Sequence, residues 1–229
     1  MPHPDDPAFW EWNYRAAQLP WDLGGASPVF ARLAASGEFS PGRMIVLGAG
    51  TGHDARLFAR RGFQVTAVDF ASGAARAMRA LQDPQAPLII LQADLFNLPP
   101  ALSNVFDYVL EYACICAFAP TRRPAYADVV AGLLRPGGRY LGLLWPTTVR
   151  PGGPPFAVAP DALIALLAAR GLTLRHSETP PDSVAERRGE EEEGGVARLG
   201  LGGERRGGVL AEVELDAGVG PLDEGDGPG

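Results

Sequence analysis

Lysine is absent from this chain of 229 residues, so all 20 of its basic side chains are arginine. With abundant alanine, glycine and proline, that composition speaks of a GC-rich gene more than of any function. Long apolar runs are missing as well. None approaches the ~20 residues of a membrane span, and Met1-Pro2-His3-Pro4-Asp5-Asp6 is acidic where a secretory signal would be basic. Membrane association is therefore not expected, and a soluble cytoplasmic protein is. Cysteine is scarce: Cys114 and Cys116 lie two apart on a predicted strand, on one face but too distant along it for an unstrained disulfide, so two buried thiols are expected. The three histidines, His3, His53 and His176, are scattered, which argues against a metal site. An excess of positive charge is also lacking. Met1 to Ala185 carries fifteen acids and fifteen arginines, whereas Glu186 to Gly229 carries twelve acids and five arginines, so the whole net charge of −7 falls in the final segment. A neutral body with an acidic tail argues against nucleic acid as a partner.

What the chain does have is enough apolar sequence, 46% of its residues, to close one α/β core, and its length predicts one domain. From Arg43 onward apolar runs alternate with amphipathic segments, the pattern of βαβ units around a parallel sheet. Strands are expected near 43–48, 63–69, 88–92, 105–112, 138–144 and 172–176, and helices near 53–61, 71–82, 121–135 and 160–170, with Gly and Pro at the stops. The expected fold is a Rossmann-like, doubly wound, mostly parallel sheet with helices on both faces. Ahead of it, residues 1–40 hold the aromatic segments Phe9-Trp10-Glu11-Trp12-Asn13-Tyr14 and Pro20-Trp21-Asp22, suited to an N-terminal cap over the ligand cleft. The expected division is a domain of 1–189 and a Gly/Glu/Arg-rich acidic tail of 190–229 that has little to bury. Within that tail, residues 209, 211, 213 and 215 form an apolar face opposite acids, a period-2 pattern that permits an added edge strand.

The most informative local feature is Met44-Ile45-Val46-Leu47-Gly48-Ala49-Gly50-Thr51-Gly52-His53-Asp54, an apolar run ending in alternating glycines. A buried strand that turns sharply into a helix needs glycine where backbone approaches a ligand, and the N–H groups at the helix start favour an anionic or polar guest. A dinucleotide fingerprint would place a third glycine at position 53, where this chain has histidine. The spacing suits S-adenosylmethionine, whose carboxylate and ammonium would sit by the loop, better than a pyrophosphate, and it disfavours a nicotinamide dehydrogenase. Asp69 closes the next strand twenty-one residues after Gly48, where an acid suits a ribose diol. In an open parallel sheet the ligand lies over the carboxyl ends of the strands, which nominates Gly48, Gly50, Gly52, Asp69, Asp94 with Leu95, and Glu111 with Tyr112. Asp94 and the Leu95 backbone would address the adenine edge, and Glu111 the amino acid end. A turn cap is the alternative for Asp94, and a solvated strand end for Glu111. His53, opening the first helix after the loop, is read as a loop or capping residue in preference to a catalytic base.

Trp10 and Tyr14, Pro20-Trp21-Asp22-x-Gly24, the glycine loop through His53-Asp54, Glu111-Tyr112-Ala113-Cys114-Ile115-Cys116, Arg123-Pro124-Ala125-Tyr126, Leu134-Arg135-Pro136-Gly137-Gly138 and Gly152-Gly153-Pro154-Pro155-Phe156 follow in order. This series resembles the thiopurine S-methyltransferase family, specifically its thiol and halide methyltransferase branch, from about Trp10 to Arg188. The resemblance implies a class I S-adenosylmethionine-dependent fold whose N-terminal aromatics close over cofactor and acceptor. It implies cofactor contacts for Trp10, Tyr14 and Trp21, with Tyr14 standing where a second tryptophan is usual, and it places Tyr112 facing donor and acceptor and Arg187 near the acceptor. The implied activity is in-line methyl transfer to a small soft nucleophile, namely a thiol, hydrosulfide, halide or thiopurine. Tyr112, or a water held by Glu111, would accept a proton from a neutral thiol; a preformed thiolate or iodide needs no base. A monomer acting on a small molecule is expected. The alternatives are an oxygen, arsenic or tellurium acceptor, or a cofactor-binding homologue without turnover. Family members end in a last strand that inserts antiparallel beside the fifth. Here glutamates and glycines follow Glu186-Arg187-Arg188, the composition that a shifted reading frame in a GC-rich gene would produce.

Overall fold

The computed structural model describes residues 3–184, Arg187 and 209–215; Glu186, Arg188 and the tail residues 190–208 and 216–229 lie outside the described residues. Among those described, seven strands form one sheet: β1 (Arg43–Leu47), β2 (Gln64–Asp69), β3 (Ile89–Gln92), β4 (Phe106–Tyr112), β5 (Leu134–Leu144), β6 (Leu172–Glu178) and β7 (Val209–Leu215). Their order is β3-β2-β1-β4-β5-β7-β6, with β1 to β5 parallel and β7 antiparallel to both its neighbours. The helices are α1 (Pro7–Arg15), α2 (Pro28–Ser36), α3 (His53–Ala59), α4 (Ser72–Ala80), α5 (Arg123–Leu133) and α6 (Pro160–Ala168). Proline in the first turn presets the helical φ of α1, α2, α5 and α6 where no N–H partner is lost. None of these helices is long and apolar enough to cross a membrane.

β1 reads as one apolar run because both faces of the sheet are covered. Met44 and Val46 pack into a layer with Phe30, Phe58 and Met78, while Ile45 and Leu47 pack on the other side with Ile115, Tyr126 and Val130. Each such side chain removed from water contributes about 1.5–3 kcal/mol.

Three details depart from the sequence reading. α1 and α2 form where no helix was expected, and α2 ends at Gly37 with a left-handed φ of +75°. α5 stops at Leu133 instead of 135, because the Asn104 and Val105 N–H groups donate to the Gly132 and Leu133 carbonyls at 2.8 and 3.2 Å and Leu134 already pairs with Phe106 in β5. The period-2 segment of the tail is not an edge strand. β7 lies inside the sheet, pairing on one side with β5 from Arg139 to Leu144 and on the other with β6, so both of its rows of backbone N–H and C=O groups find partners. Val213 is fully buried there, and its flanking acids meet arginines of the neighbouring strands: Glu212 lies 3.1 Å from Arg139 and Glu214 lies 3.0 Å from Arg175.

Candidate active site

The turn out of β1 builds one wall of a cleft at the carboxyl edge of the sheet. Gly48 and Gly50 both hold left-handed φ, +61° and +57°, which a side chain rarely adopts. They differ in what surrounds them. A Cβ on Gly48 would stand 2.7 Å from the Cys114 sulfur, so packing alone demands glycine there. A Cβ on Gly50 would meet only the Tyr14 hydroxyl, at 3.8 Å, and would otherwise project into open space. Gly50 is thus a point where the backbone faces the open cleft.

That space is a cavity of about 260 Å³ lined by eight of the nominated residues, Trp10, Tyr14, Trp21, Gly48, Gly50, Asp69, Asp94 and Leu95. Asp69 ends β2, and its two oxygens accept the Gly50 and Ala71 N–H groups, each at 2.9 Å. Burial pushes its carboxyl up to about 6, against the lowering effect of those backbone bonds. Asp94 does both things weighed for it: it stands in the wall, and it caps the short turn after β3 by accepting the Phe96 N–H at 3.0 Å. The aromatic cap is docked from α1. The Trp21 ring meets the Trp10 ring edge-on at 5.2 Å and the Tyr14 ring at 6.0 Å. Tyr14 lies against Gly73 of α4, where a Cβ would fall 2.4 Å from the Tyr14 Cβ, and Glu11 accepts the Gly73 N–H at 3.0 Å. Burial and the Asp69 charge push the Tyr14 hydroxyl well above its ordinary range.

Gly52, Glu111 and Tyr112 stand outside the wall. Gly52 is the residue from which α3 starts, with a φ of +80°. Glu111, expected at the amino acid end of the cofactor and as a proton acceptor, is turned into the core. It is fully buried; one oxygen accepts the Cys114 and Ile115 N–H groups at 2.8 and 3.1 Å, and the other accepts the Tyr140 hydroxyl at 3.3 Å. Those bonds shape the turn after β4 that carries Cys114 and Cys116 into the wall, so its role is to support the cleft from beneath. Burial pushes its carboxyl up to about 7. Tyr112 lies behind the wall under Arg187, whose guanidinium is 4.5 Å from the Tyr112 ring centre and 4.5 Å from that of Trp145. Burial pushes the Tyr112 hydroxyl up to about 12, with Arg187 opposing. His53 is held on both ring nitrogens, by Asp22 at 3.1 Å and Arg56 at 3.1 Å.

The wall also contains Phe70, Phe96, Phe118, Arg122 and Trp145, which the sequence reading did not nominate. Trp145 directly follows β5, so the strand-end rule extended by one strand would have found it. Arg122 stacks on Phe96 at 3.7 Å and pairs with Asp5 at 3.1 Å, a contact across 117 residues that no spacing reveals. Among the described residues no group of three or more His, Cys, Asp or Glu side chains could hold a metal ion.

These residues fit S-adenosylmethionine. Gly50 leaves room for the guest at the loop, the Asp69 oxygens keep second lone pairs for hydroxyl groups, and the electron-rich faces of Trp10, Tyr14 and Trp21 suit a sulfonium. The family model for thiopurine S-methyltransferase matches residues 5–200. The chain is 37% identical over 153 residues to the probable thiol methyltransferase 2 of Arabidopsis thaliana, covering 66% of this chain and 67% of that protein. It is 31% identical over 197 residues to thiocyanate methyltransferase 1 of Brassica oleracea, covering 85% and 86%. Its fold matches the crystal structure of Burkholderia thailandensis 1,6-didemethyltoxoflavin-N1-methyltransferase, bound to 1,6-didemethyltoxoflavin and S-adenosylhomocysteine, with a TM-score of 0.64 and 18% identity over 94% of this chain and 92% of that one. A Rossmann-like sheet, a glycine loop with its acid and an aromatic cap thus belong to an S-adenosylmethionine-dependent methyltransferase, and the chain is a member of the thiopurine S-methyltransferase family.

Proposed function

We propose that this methyltransferase acts on a small soft nucleophile that arrives as an anion: a thiolate, hydrosulfide, halide or ionised thiopurine. The observation that carries this reading is Arg187. The residue is only 6% exposed, and its guanidinium lies 4.5 Å from both the Tyr112 and the Trp145 ring centres, donates through Nη2 to the Trp21 carbonyl at 2.8 Å, and has no hydrogen-bond partner at Nη1 among the described residues. A buried cation with an unused donor beside the cleft favours an anionic guest, in line with the thiol and thiocyanate in the relatives' names.

When bound, S-adenosylmethionine supplies an electrophilic methyl group on a positively charged sulfur. Gly48, Gly50, Asp69, Asp94, Leu95, Trp10, Tyr14 and Trp21 hold it, and Arg187, stacked on Tyr112 behind the wall and on Trp145 in it, directs its charge toward the acceptor. The chain's contribution is alignment and exclusion of water, since an anionic sulfur or halide needs no base. The wall is consistent with that economy: Asp5 is paired with Arg122, and Asp69 and Asp94 accept backbone N–H groups, while Tyr112 behind it stays protonated at neutral pH.

The test is methyl transfer from labelled S-adenosylmethionine to iodide, hydrosulfide, thiocyanate, an aromatic thiol and a thiopurine between pH 7 and pH 9. Turnover of iodide should be flat across that range. Turnover of a thiol with a pKa of about 8.5 should rise roughly tenfold per pH unit below that value and then level. Arg187→Gln should lower kcat/KM for the anions about 10- to 100-fold, the worth of one charge-assisted hydrogen bond. Equal turnover by the variant, or a preference for neutral acceptors, would refute the reading.

A further inference from the structure

We infer that Asp22 is a positioning residue that ties the glycine loop to the aromatic cap, so that loop and cap receive S-adenosylmethionine as one unit. Asp22 does not touch the cavity. Its side chain is 16% exposed and is surrounded by donors: the Thr51 hydroxyl at 2.7 Å on one oxygen, and the Gly24 N–H at 2.8 Å with the His53 Nε2 at 3.1 Å on the other. Thr51 lies between Gly50 and Gly52, and His53 is the first residue of α3.

Arg56 closes the network from behind. Its Nη1 donates to the Thr51 carbonyl at 2.7 Å and its Nη2 faces the His53 Nδ1 at 3.1 Å. A guanidinium has no lone pair to offer, so Nδ1 is the acceptor and the histidine proton sits on Nε2, toward Asp22. Both nitrogens are therefore committed, which assigns His53 to the clasp and leaves it no part in proton transfer. Burial works against ionisation of Asp22, but the bonds from Thr51 and Gly24 and the neighbouring His53 hold its carboxyl below the usual range.

The residue before the clasp is what makes it functional. The Trp21 ring is in the cavity wall against Trp10 and Tyr14, and its carbonyl receives Arg187. α1 contains no fully buried residue: beyond the packing of Tyr14 on Gly73 and the ring contacts with Trp21, the cap is fastened by polar contacts, Glu11 to Gly73 and, ahead of α1, Asp5 to Arg122. A segment without a fully buried side chain opens readily, so the polar clasp sets how often the cap is in place.

The inference rests on the cofactor alone and not on the anionic acceptor, so its test uses S-adenosylhomocysteine as the probe. Trp10 and Trp21 report binding through their fluorescence, and steady-state rates at varied S-adenosylmethionine separate KM from kcat. Asp22→Asn and Thr51→Val should each raise the Kd of S-adenosylhomocysteine and the KM of S-adenosylmethionine about tenfold or more, the range of one hydrogen bond to a charged group. Their kcat at saturating cofactor should stay within about twofold, and Thr51→Ser, which restores the hydroxyl, should recover tight binding. Wild-type affinity in Thr51→Val, a loss that Thr51→Ser does not repair, or a fall in kcat at constant KM would each overturn the assignment. Because Thr51→Val keeps the shape of the side chain, the Thr51 pair decides the matter even if Asp22→Asn fails to fold.

Discussion

Glu111 stands next to the end of β4, where the strand-end rule nominates it, but its carboxyl points into the core and serves the turn that follows. Both faces of this sheet are covered, so the pleat says which residues share a face without saying which face holds the guest. Asp69 was readable because an acid at the tip of β2 has a backbone role on the neighbouring loop, visible in the bond from Gly50. The environment of Glu111 yields a prediction. Its carboxyl is raised from 4.5 to about 7, so between those pH values the folded form keeps a proton that the unfolded chain releases. That contribution to stability is present at low pH and is lost as pH rises through 7, a cost of about 3 kcal/mol at about 1.4 kcal/mol per pH unit. Glu111→Gln keeps the acceptor for Cys114 and Ile115 and cannot ionise. In chemical denaturation at pH 5 to 8, its stability should fall less with rising pH than that of the wild type. Parallel curves would contradict the burial assigned to this carboxyl.

At the scale of elements, β7 carries the most weight. Its two-residue period was visible, but alternation specifies a face and not a neighbour, so a strand antiparallel beside β5 was implied only by the family resemblance, and the structure shows that residues 209–215 fill that place. The neighbours are decided by backbone groups that β5 and β6 leave open, and the register is accompanied by diagonal ion pairs of Arg139 with Glu212 and Arg175 with Glu214. Such partly exposed ion pairs contribute about 0–1 kcal/mol each, so they select register more than they stabilise. Val213, fully buried between the two strands, supplies the stability. Val213→Asp should cost about 3 kcal/mol or more by leaving an unpaired charge in the core, read as a lowered denaturant midpoint. A change within about 0.5 kcal/mol would show that β7 is not docked in solution.

For the whole molecule, a cofactor held as proposed would join the sheet edge, the loop and the cap, so its binding should stabilise all three together. S-adenosylhomocysteine at a hundred times its Kd should add about 2.7 kcal/mol, which for a chain of this size is a rise in Tm of roughly 5–10 °C. Asp69→Ala should abolish most of that rise at pH 7.5. In the wild type the rise should shrink from pH 7.5 to pH 5, because Asp69, raised to about 6, becomes protonated on the way and offers fewer lone pairs to hydroxyl groups. A pH-independent rise in the wild type, or a full one in Asp69→Ala, would remove Asp69 from the cofactor contacts.

The sequence by itself determined the parallel sheet, the loop from Gly48 to Gly52 and the acid at the end of β2. These follow from local quantities: the period of apolar residues, the need for left-handed φ, and the spacing between two strand ends. The family could be read from motifs for the same reason, since each is a short run of neighbours. Only the tertiary structure decided that Glu111 turns inward, that residues 209–215 of the tail are the strand beside β5, that Phe96, Arg122 and Trp145 complete the wall, and that Asp22 grips the loop through Thr51 and His53. Those outcomes depend on which segments meet, and they are settled by packing and by donors and acceptors that must find partners away from water, across separations at which neither period nor spacing carries information.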